Sequence, residues 1–420
     1  MPTPLSRRRV VVTGLGAVTP LGLTARETFD NSLSGVSGIS PITLFDASAL
    51  DVRFAGEVKN FSPDPYVHKK EQKKMDRFLH FSMAASQQAI TDSGIQFSDE
   101  LKERTGVFIG CGIGGLPAIE ETIQTVSTRG PGRISPFFIP QVIINMASGY
   151  VSIQHGFRGP NFSMVSACAT GCHSIGEAVN YIRYGQCDVM VAGGTEAAIC
   201  TLGIGGFAAM KALSTRNDSP AQASRPWDKD RDGFVLAEGA AVLILEELEM
   251  AKKRGAQIYA EITGYGASSD AYHMTNPAPG GAGAVLAMKN ALKDAGLNSS
   301  DIEYINAHGT STPVGDIAES EAIKTALGLE AAKKSWISST KSMTGHTLGA
   351  AGAIESVFTI LAVKEGKVPP TINLDNPSAD CDLDYVPKVA REKKVKHALN
   401  NSFGFGGTNA CLIFSRFGGN

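Results

Sequence analysis

Short runs of β-branched and aliphatic residues alternate with longer helix-periodic segments along nearly the whole chain, and this alternation limits the fold more than any other feature. Residues 10–13, 105–109, 161–165, 189–192, 241–246, 259–265, 304–307 and 336–339 read as strands, with a late strand pair at 397–402 and 410–415. Helices are predicted over 25–34, 73–93, 171–184, 247–254, 281–295, 316–327 and 348–364. Strand, helix and strand in succession predict an α/β fold with buried, parallel-rich sheets between layers of helix. A break near 254–258 divides the chain into two unequal parts, 1–257 and 258–420. The polar stretch 49–76, with Pro63 and Pro65, reads as an insertion. The irregular stretch 212–233 has the length of a loop that serves a function. No short sequence repeat links the two parts.

Composition narrows the function. With 43% hydrophobic and 19% charged residues in 420, the chain can bury a large core. Its 39 basic and 41 acidic residues leave a formal charge of −2, which offers no general basis for binding nucleic acid. The 46 glycines cluster without a period, which excludes collagen and points to tight turns. Seven cysteines, an odd number, argue against a disulfide framework and suit a reducing cytoplasm. Two stretches, 189–210 and 346–363, have the hydropathy of membrane spans, each with one charge, Glu196 or Glu355. The first holds five glycines and reads as a buried strand, a turn and a loop; the second reads as an internal helix. The start, Met1–Arg9, carries three arginines ahead of Val10-Val11-Val12, and Pro20 interrupts the apolar run, so a buried strand fits better than a signal peptide.

Several motifs carry chemistry. Gly14-Leu15-Gly16 follows a strand as in a dinucleotide fingerprint, but Thr19 stands where the third glycine belongs, and no phosphate loop is present. Cys168 lies in Ser166-Ala167-Cys168-Ala169-Thr170-Gly171, between a strand and a helix. Amide N–H groups and the helix dipole at such a turn favour a thiolate and can hold a developing oxyanion. A buried structural cysteine is the alternative, and both readings stand at this point. Cys172 and His173 lack a second ligand cluster, so no metal site is expected. His308 and His346 each follow a predicted strand in a glycine-containing loop, where α/β folds gather catalytic groups. Glu355 falls amid apolar helix residues and needs a cation; Lys341 is the candidate, with a narrow solvent-facing stripe as the alternative. The loop Asn401–Asn409 is too glycine-dense for a simple hairpin and sets Phe405 as a candidate gate. Lys70, Lys73, Lys74 and Arg77 follow helical spacing, giving either a solvated face or a dock for an acidic protein.

Taken together, the motifs around Cys168, His308-Gly309-Thr310-Ser311-Thr312, Lys341-Ser342-Met343-Thr344-Gly345-His346 and Asn401-Ser402-Phe403-Gly404-Phe405-Gly406-Gly407 resemble those of the condensing enzymes of fatty-acid synthesis. The likeness runs over nearly the whole chain. It implies a thiolase-like fold of two similar α/β halves in five αβαβα layers, one half carrying the cysteine and the other both histidines. It implies decarboxylative condensation with Cys168 as nucleophile and His308 and His346 stabilising the enolate. Lys341 and Glu355 are then supporting residues, and the N–H groups of Cys168 and Phe405 form an oxyanion hole. Thr310 and Thr312 bind the pantetheine arm, and Ile113, Phe207 and Phe405 line or gate the acyl pocket. Lys70, Lys73, Lys74, Arg133 and Lys211 form the dock for an acyl carrier protein. The resemblance also implies a homodimer, no cofactor beyond the phosphopantetheine carried by the substrates, and Cys111 as a second thiol near the pocket. Within enzymes the rival readings are a closely related elongating synthase of type I or a polyketide ketosynthase, with a thiolase less expected because it would use coenzyme A esters. A non-catalytic partner subunit that sets chain length is the alternative from another class, but such partners typically lack the cysteine that is present here.

Overall fold

The computed structural model describes residues 7–418, so residues 1–6 of the arginine-rich start lie outside the described residues. Nine strands form the main sheet: β1 (Val10–Val18), β2 (Thr105–Gly110), β3 (Val189–Glu196), β4 (Gly239–Glu247), β5 (Ala260–Ser269), β6 (Tyr304–Asn306), β7 (Trp336–Ser338), β8 (His397–Gly404) and β9 (Thr408–Ser415). Five long helices pack on them: α1 (Arg77–Ser93), α2 (Thr170–Arg183), α3 (Ala282–Ala295), α4 (Gly315–Leu327) and α5 (Ala351–Glu365). The strand order is β2-β3-β4-β1-β5-β9-β8-β6-β7. β1 and β5 meet over only two residue pairs, Val11 with Glu261 and Val12 with Ala260. The nine strands are therefore two sheets joined at a short seam.

Both sheets follow one plan. Outward from the seam the pairings run antiparallel, antiparallel, then parallel, through β1, β4, β3 and β2 on one side and β5, β9, β8 and β6 on the other. β7 adds a further parallel strand beyond β6, and in the first half a single parallel bridge between Val107 and Asn161 occupies that place. The chain enters the strands of each half in the same sequence. The duplication lives in the topology and has left no repeat in the amino acids.

Side-chain alternation explains the layers. In β4, Val242 and Ile244 join the core around Phe78 and Leu79 of α1, whereas Leu243 and Leu245 join Ile175, Val179 and Val357 in the middle. In β9, Leu412 and Phe414 face the middle, and Cys411 and Ile413 pack with Ala287 and Met288 of α3. Sheets covered on both faces give unbroken apolar runs, and each such run reads as a strand. α1 covers one sheet, α3 and α4 cover the other, and α2 and α5 fill the middle. Every residue of α5 from Ala351 to Val363 is buried, which is why this stretch has the hydropathy of a span. Among the described residues no helix is long and apolar enough to cross a membrane. The two central helices cross on glycine: a Cβ at Gly171 would lie 2.6 Å from the Ala353 nitrogen, and one at Gly352 would lie 2.8 Å from the Cys172 nitrogen. This close crossing brings the turns that precede both helices together.

Several expectations change. Residues 161–165 are not a strand; only Asn161 bridges, and among the described residues the segment pairs with no further strand along this open sheet edge. The helix expected over 73–93 starts at Arg77, where Asp76 caps it by accepting from the Phe78 N–H, and Lys69–Gln72 makes a separate turn. The stretch after Glu196, expected as turn and loop, contains the helix Thr201–Ala209 despite Gly203, Gly205 and Gly206. Helices at Leu116–Arg129 and Met146–His155 have no counterpart in the sequence reading.

Candidate active site

Cys168 sits in a single 3-10 turn, Ala167–Ala169, that leads into α2. Ala167 has φ of 50°, a left-handed conformation that costs a residue with a side chain roughly 1–2 kcal/mol. Cross-chain bonds hold the turn: Ser402 Oγ donates to the Cys168 carbonyl at 2.8 Å, and Thr408 Oγ1 donates to the Ser166 carbonyl at 2.9 Å. The main-chain N–H groups of Phe405 and Cys168 lie near enough to the sulfur to favour its thiolate. They are the pair of donors named above as an oxyanion hole.

The histidines come from the second half. His346 is fixed by its backbone, its N–H donating to the Val235 carbonyl at 2.7 Å and its carbonyl accepting from the Ala237 N–H at 3.0 Å. Its Nε2 lies 3.0 Å from Cys168 Sγ. The ring of His308 meets that of His346 edge-on, with centroids 5.4 Å apart. His308 is anchored by Glu319 of α4, whose carboxylate accepts from the His308 N–H at 2.8 Å and the Gly309 N–H at 2.7 Å. Asn401 Nδ2 donates to the same carboxylate at 3.2 Å. The sequence reading missed Glu319. Its only signal is the Asp316–Glu319 spacing at the start of a helix, which also describes ordinary dipole decoration.

Lys341 and Glu355 form a buried ion pair beneath the two rings. The solvent-facing alternative for Glu355 does not hold, since the residue is only 2% exposed. Burial pushes its carboxyl up to about 7, against the pull of the Lys341 ammonium. Breaking such a pair from one side leaves a buried charge alone. Lys341→Met is expected to destabilise the fold by about 3–5 kcal/mol, read by denaturant unfolding, whereas the double change with Glu355→Leu should recover most of that loss.

Burial also pushes the Cys168 thiol up to about 12, against the pull of the Lys341 ammonium and the two N–H groups. Burial, then Lys341, hold both imidazoles well below the usual histidine range, and His346 adds to the effect on His308. Burial thus keeps the two rings neutral, and one ammonium reinforces this while favouring the thiolate next to them.

A cavity of about 500 Å³ opens over these groups. Cys168, His308 and His346 line it, as do Ile113, Phe207, Thr310, Thr312, Phe405 and Lys211. Lys341 and Glu355 lie behind the lining. Cys111 lies beside the cavity without lining it: Gly112 and Ile113 are in the wall, and the Cys111 thiol is buried and donates to Glu196 Oε1 at 2.9 Å. The basic residues are not one helical face. Lys70, Lys73 and Arg133 are exposed, Lys74 pairs with Glu71 at 2.7 Å, and Arg77 turns inward to Glu238 at 2.7 Å. Among the described residues no group of histidine, cysteine and acidic side chains could hold a metal ion.

A cysteine supplied by one half and paired rings supplied by the other are the layout of condensing enzymes built on the thiolase fold, and this chain is one of them. It belongs to the β-ketoacyl synthase family: residues 7–251 match the Beta-ketoacyl synthase N-terminal domain and residues 259–375 its C-terminal domain. It is 55% identical to 3-oxoacyl-[acyl-carrier-protein] synthase 2 of Coxiella burnetii, over 98% of this chain and 99% of the relative. It is 50% identical to the synthase of the same name from Staphylococcus aureus, over 98% and 99%. Among solved structures, a ketosynthase from a complex with its type II PKS acyl-carrier protein is similar with a TM-score of 0.90 at 38% identity, over 97% of this chain and 99% of that one. A β-ketoacyl synthase from Burkholderia phymatum gives 0.91 at 37%, over 97% and 99%.

Proposed function

We propose that the chain elongates fatty acyl groups by condensing malonyl-acyl-carrier protein with an acyl chain held on Cys168. The observation that carries this is the approach of His346 Nε2 to Cys168 Sγ at 3.0 Å with His308 edge-on beside it, at the head of the cavity. The thiol of Cys168 passes its proton to His346 as the sulfur attacks an acyl-carrier thioester. The tetrahedral oxyanion accepts from the N–H groups of Cys168 and Phe405, the carrier thiol leaves with a proton, and the acyl chain stays on sulfur. Malonyl-carrier protein then loses carbon dioxide, and its electron pair becomes an enolate whose oxygen accepts from His308 and His346. Neutral rings suit this, since the charge they meet appears only in the transition state. The enolate carbon attacks the acyl-cysteine, the carbon–sulfur bond breaks, 3-oxoacyl-carrier protein leaves, and the expelled thiolate takes one proton from solvent to restore the thiol.

Thr310 and Thr312, whose hydroxyls lie 3.1 Å apart on the cavity wall, receive the pantetheine arm. Ile113, Phe207 and Phe405 bound the acyl space. The exposed ammonium groups of Lys70 and Lys73, with Lys74, Arg133 and Lys211, attract an acidic carrier. Exposed Ile123, Ile134, Phe137, Ile139, Ile143 and Val165, next to the open sheet edge at Asn161, favour a homodimer through that side. The test is condensation with purified carrier proteins bearing acyl chains of graded length. Formation of 3-oxoacyl-carrier product supports the reading; equal turnover of coenzyme A esters overturns the choice of carrier. In the same assay, reversing charge at Lys70, Lys73 and Lys74 together should raise the apparent KM about tenfold at low salt, with the gap closing as salt rises. An unchanged KM places the dock elsewhere.

A further inference from the structure

The turn that carries Cys168 is built twice. In the second half, Thr347-Leu348-Gly349-Ala350 runs into α5 as Ser166-Ala167-Cys168-Ala169 runs into α2. Leu348 has φ of 48°, beside 50° at Ala167. The Ala350 N–H donates to the Thr347 carbonyl at 3.0 Å, as the Ala169 N–H donates to the Ser166 carbonyl at 3.1 Å. The fourth residue of each helix differs: His173 in α2 stands where Ile354 stands in α5. The left-handed turn therefore forms without a histidine, and the imidazole is an addition confined to the half that holds the cysteine.

That imidazole has a specific partner. Ser166 Oγ lies 2.7 Å from His173 Nδ1. The other polar atoms of Ser166 are engaged too, its N–H donating to Thr170 Oγ1 at 2.8 Å and its carbonyl accepting from Thr408 Oγ1 at 2.9 Å. The carbonyl of Asn409 faces the His173 ring from β9. Ser166 sits two residues before the Cys168 N–H, and Thr408 and Asn409 follow the loop that holds the Phe405 N–H. His173 thus holds Ser166 directly and is linked to β9 through the bond from Thr408 to the Ser166 carbonyl.

We infer that His173 is a positioning residue for the oxyanion hole, holding the Cys168 and Phe405 N–H groups in register through Ser166 and β9. This rests on the reading of those two N–H groups given above. The neutral ring accepts the Ser166 hydroxyl proton on Nδ1. Acyl transfer to Cys168 passes through that hole, whereas malonyl decarboxylation draws on His308 and His346. Loosening the clamp should separate the two half-reactions.

The experiment measures single-turnover acylation of Cys168 from an acyl-carrier thioester by intact-protein mass, and malonyl-carrier decarboxylation on the same preparations. His173→Ala should slow acylation about tenfold to a hundredfold and leave decarboxylation within about twofold. His173→Asn, whose amide oxygen can accept from Ser166, should recover most of the loss, and Ser166→Ala should behave as His173→Ala does. Wild-type acylation in His173→Ala overturns the proposal. So does a parallel fall in both half-reactions, which is what general loosening of the fold produces. Should His173→Ala fail to fold, Ser166→Ala decides: acylation at the wild-type rate there overturns the proposal, and a selective loss supports it. A wild-type enzyme that takes no acyl group on Cys168 would instead overturn the reading of the site itself.

Discussion

Cys168→Ser is expected to lose condensation by a factor on the order of 10⁴ or more while keeping its fold. Burial leaves the thiol at about 12 even against the pull of Lys341 and the two N–H groups, so the sulfur becomes nucleophilic through proton transfer to the ring 3.0 Å away. A serine hydroxyl ionises far less readily and carries a poorer nucleophile into the same surroundings. All seven cysteines are buried and free, but Cys168 alone lines the cavity. Incubation with acyl-carrier thioester should therefore add one acyl mass per chain, on the peptide containing Cys168. The adduct should be absent from the serine variant. An adduct mapped to Cys111 or Cys172 would remove Cys168 from its role.

The second large effect concerns the rings. His308→Ala should reduce malonyl-carrier decarboxylation about 10²–10³-fold, the cost of removing one preorganised donor from a buried oxyanion. Acyl transfer should fall far less, because the ring nitrogen hydrogen-bonded to Cys168 Sγ is that of His346. His346→Ala should damage both half-reactions, since its Nε2 touches Cys168 Sγ. Carbon dioxide release and acyl-enzyme formation, measured separately, give the split. Near-normal decarboxylation in both variants would transfer the enolate chemistry to other groups.

Much of this site can be read in the amino acids, and the parts that cannot have physical reasons. The apolar runs of β3, β4 and β9 announce strands because both faces are buried. The turns at Cys168, His308 and His346 stand out because small residues and glycines cluster at strand ends. Glu319 stays hidden because a carboxylate near a helix start is common for reasons of dipole alone. Thr201–Ala209 is missed because three glycines weaken any helical signal, and packing beside the acyl cavity overrides that weakness. Leu116–Arg129 carries Leu116, Ile119, Ile123 and Val126 at helical spacing, a stripe that the sequence reading passed over among polar neighbours. Arg77 looks like one more surface cation until Glu238, distant in sequence, claims it.

The middle layer belongs to neither half. α2 rises from the first half yet packs on β9, and α5 rises from the second yet packs on β4. Each helix packs on its own half and on the other as well, while the sheets themselves touch over two residue pairs. A chain severed between them would give two fragments that each expose a greasy flank and lack a lid for it. Cysteine and imidazoles therefore meet at the one place in the molecule that neither fragment can assemble unaided, and correct joining of the halves is itself a condition of chemistry.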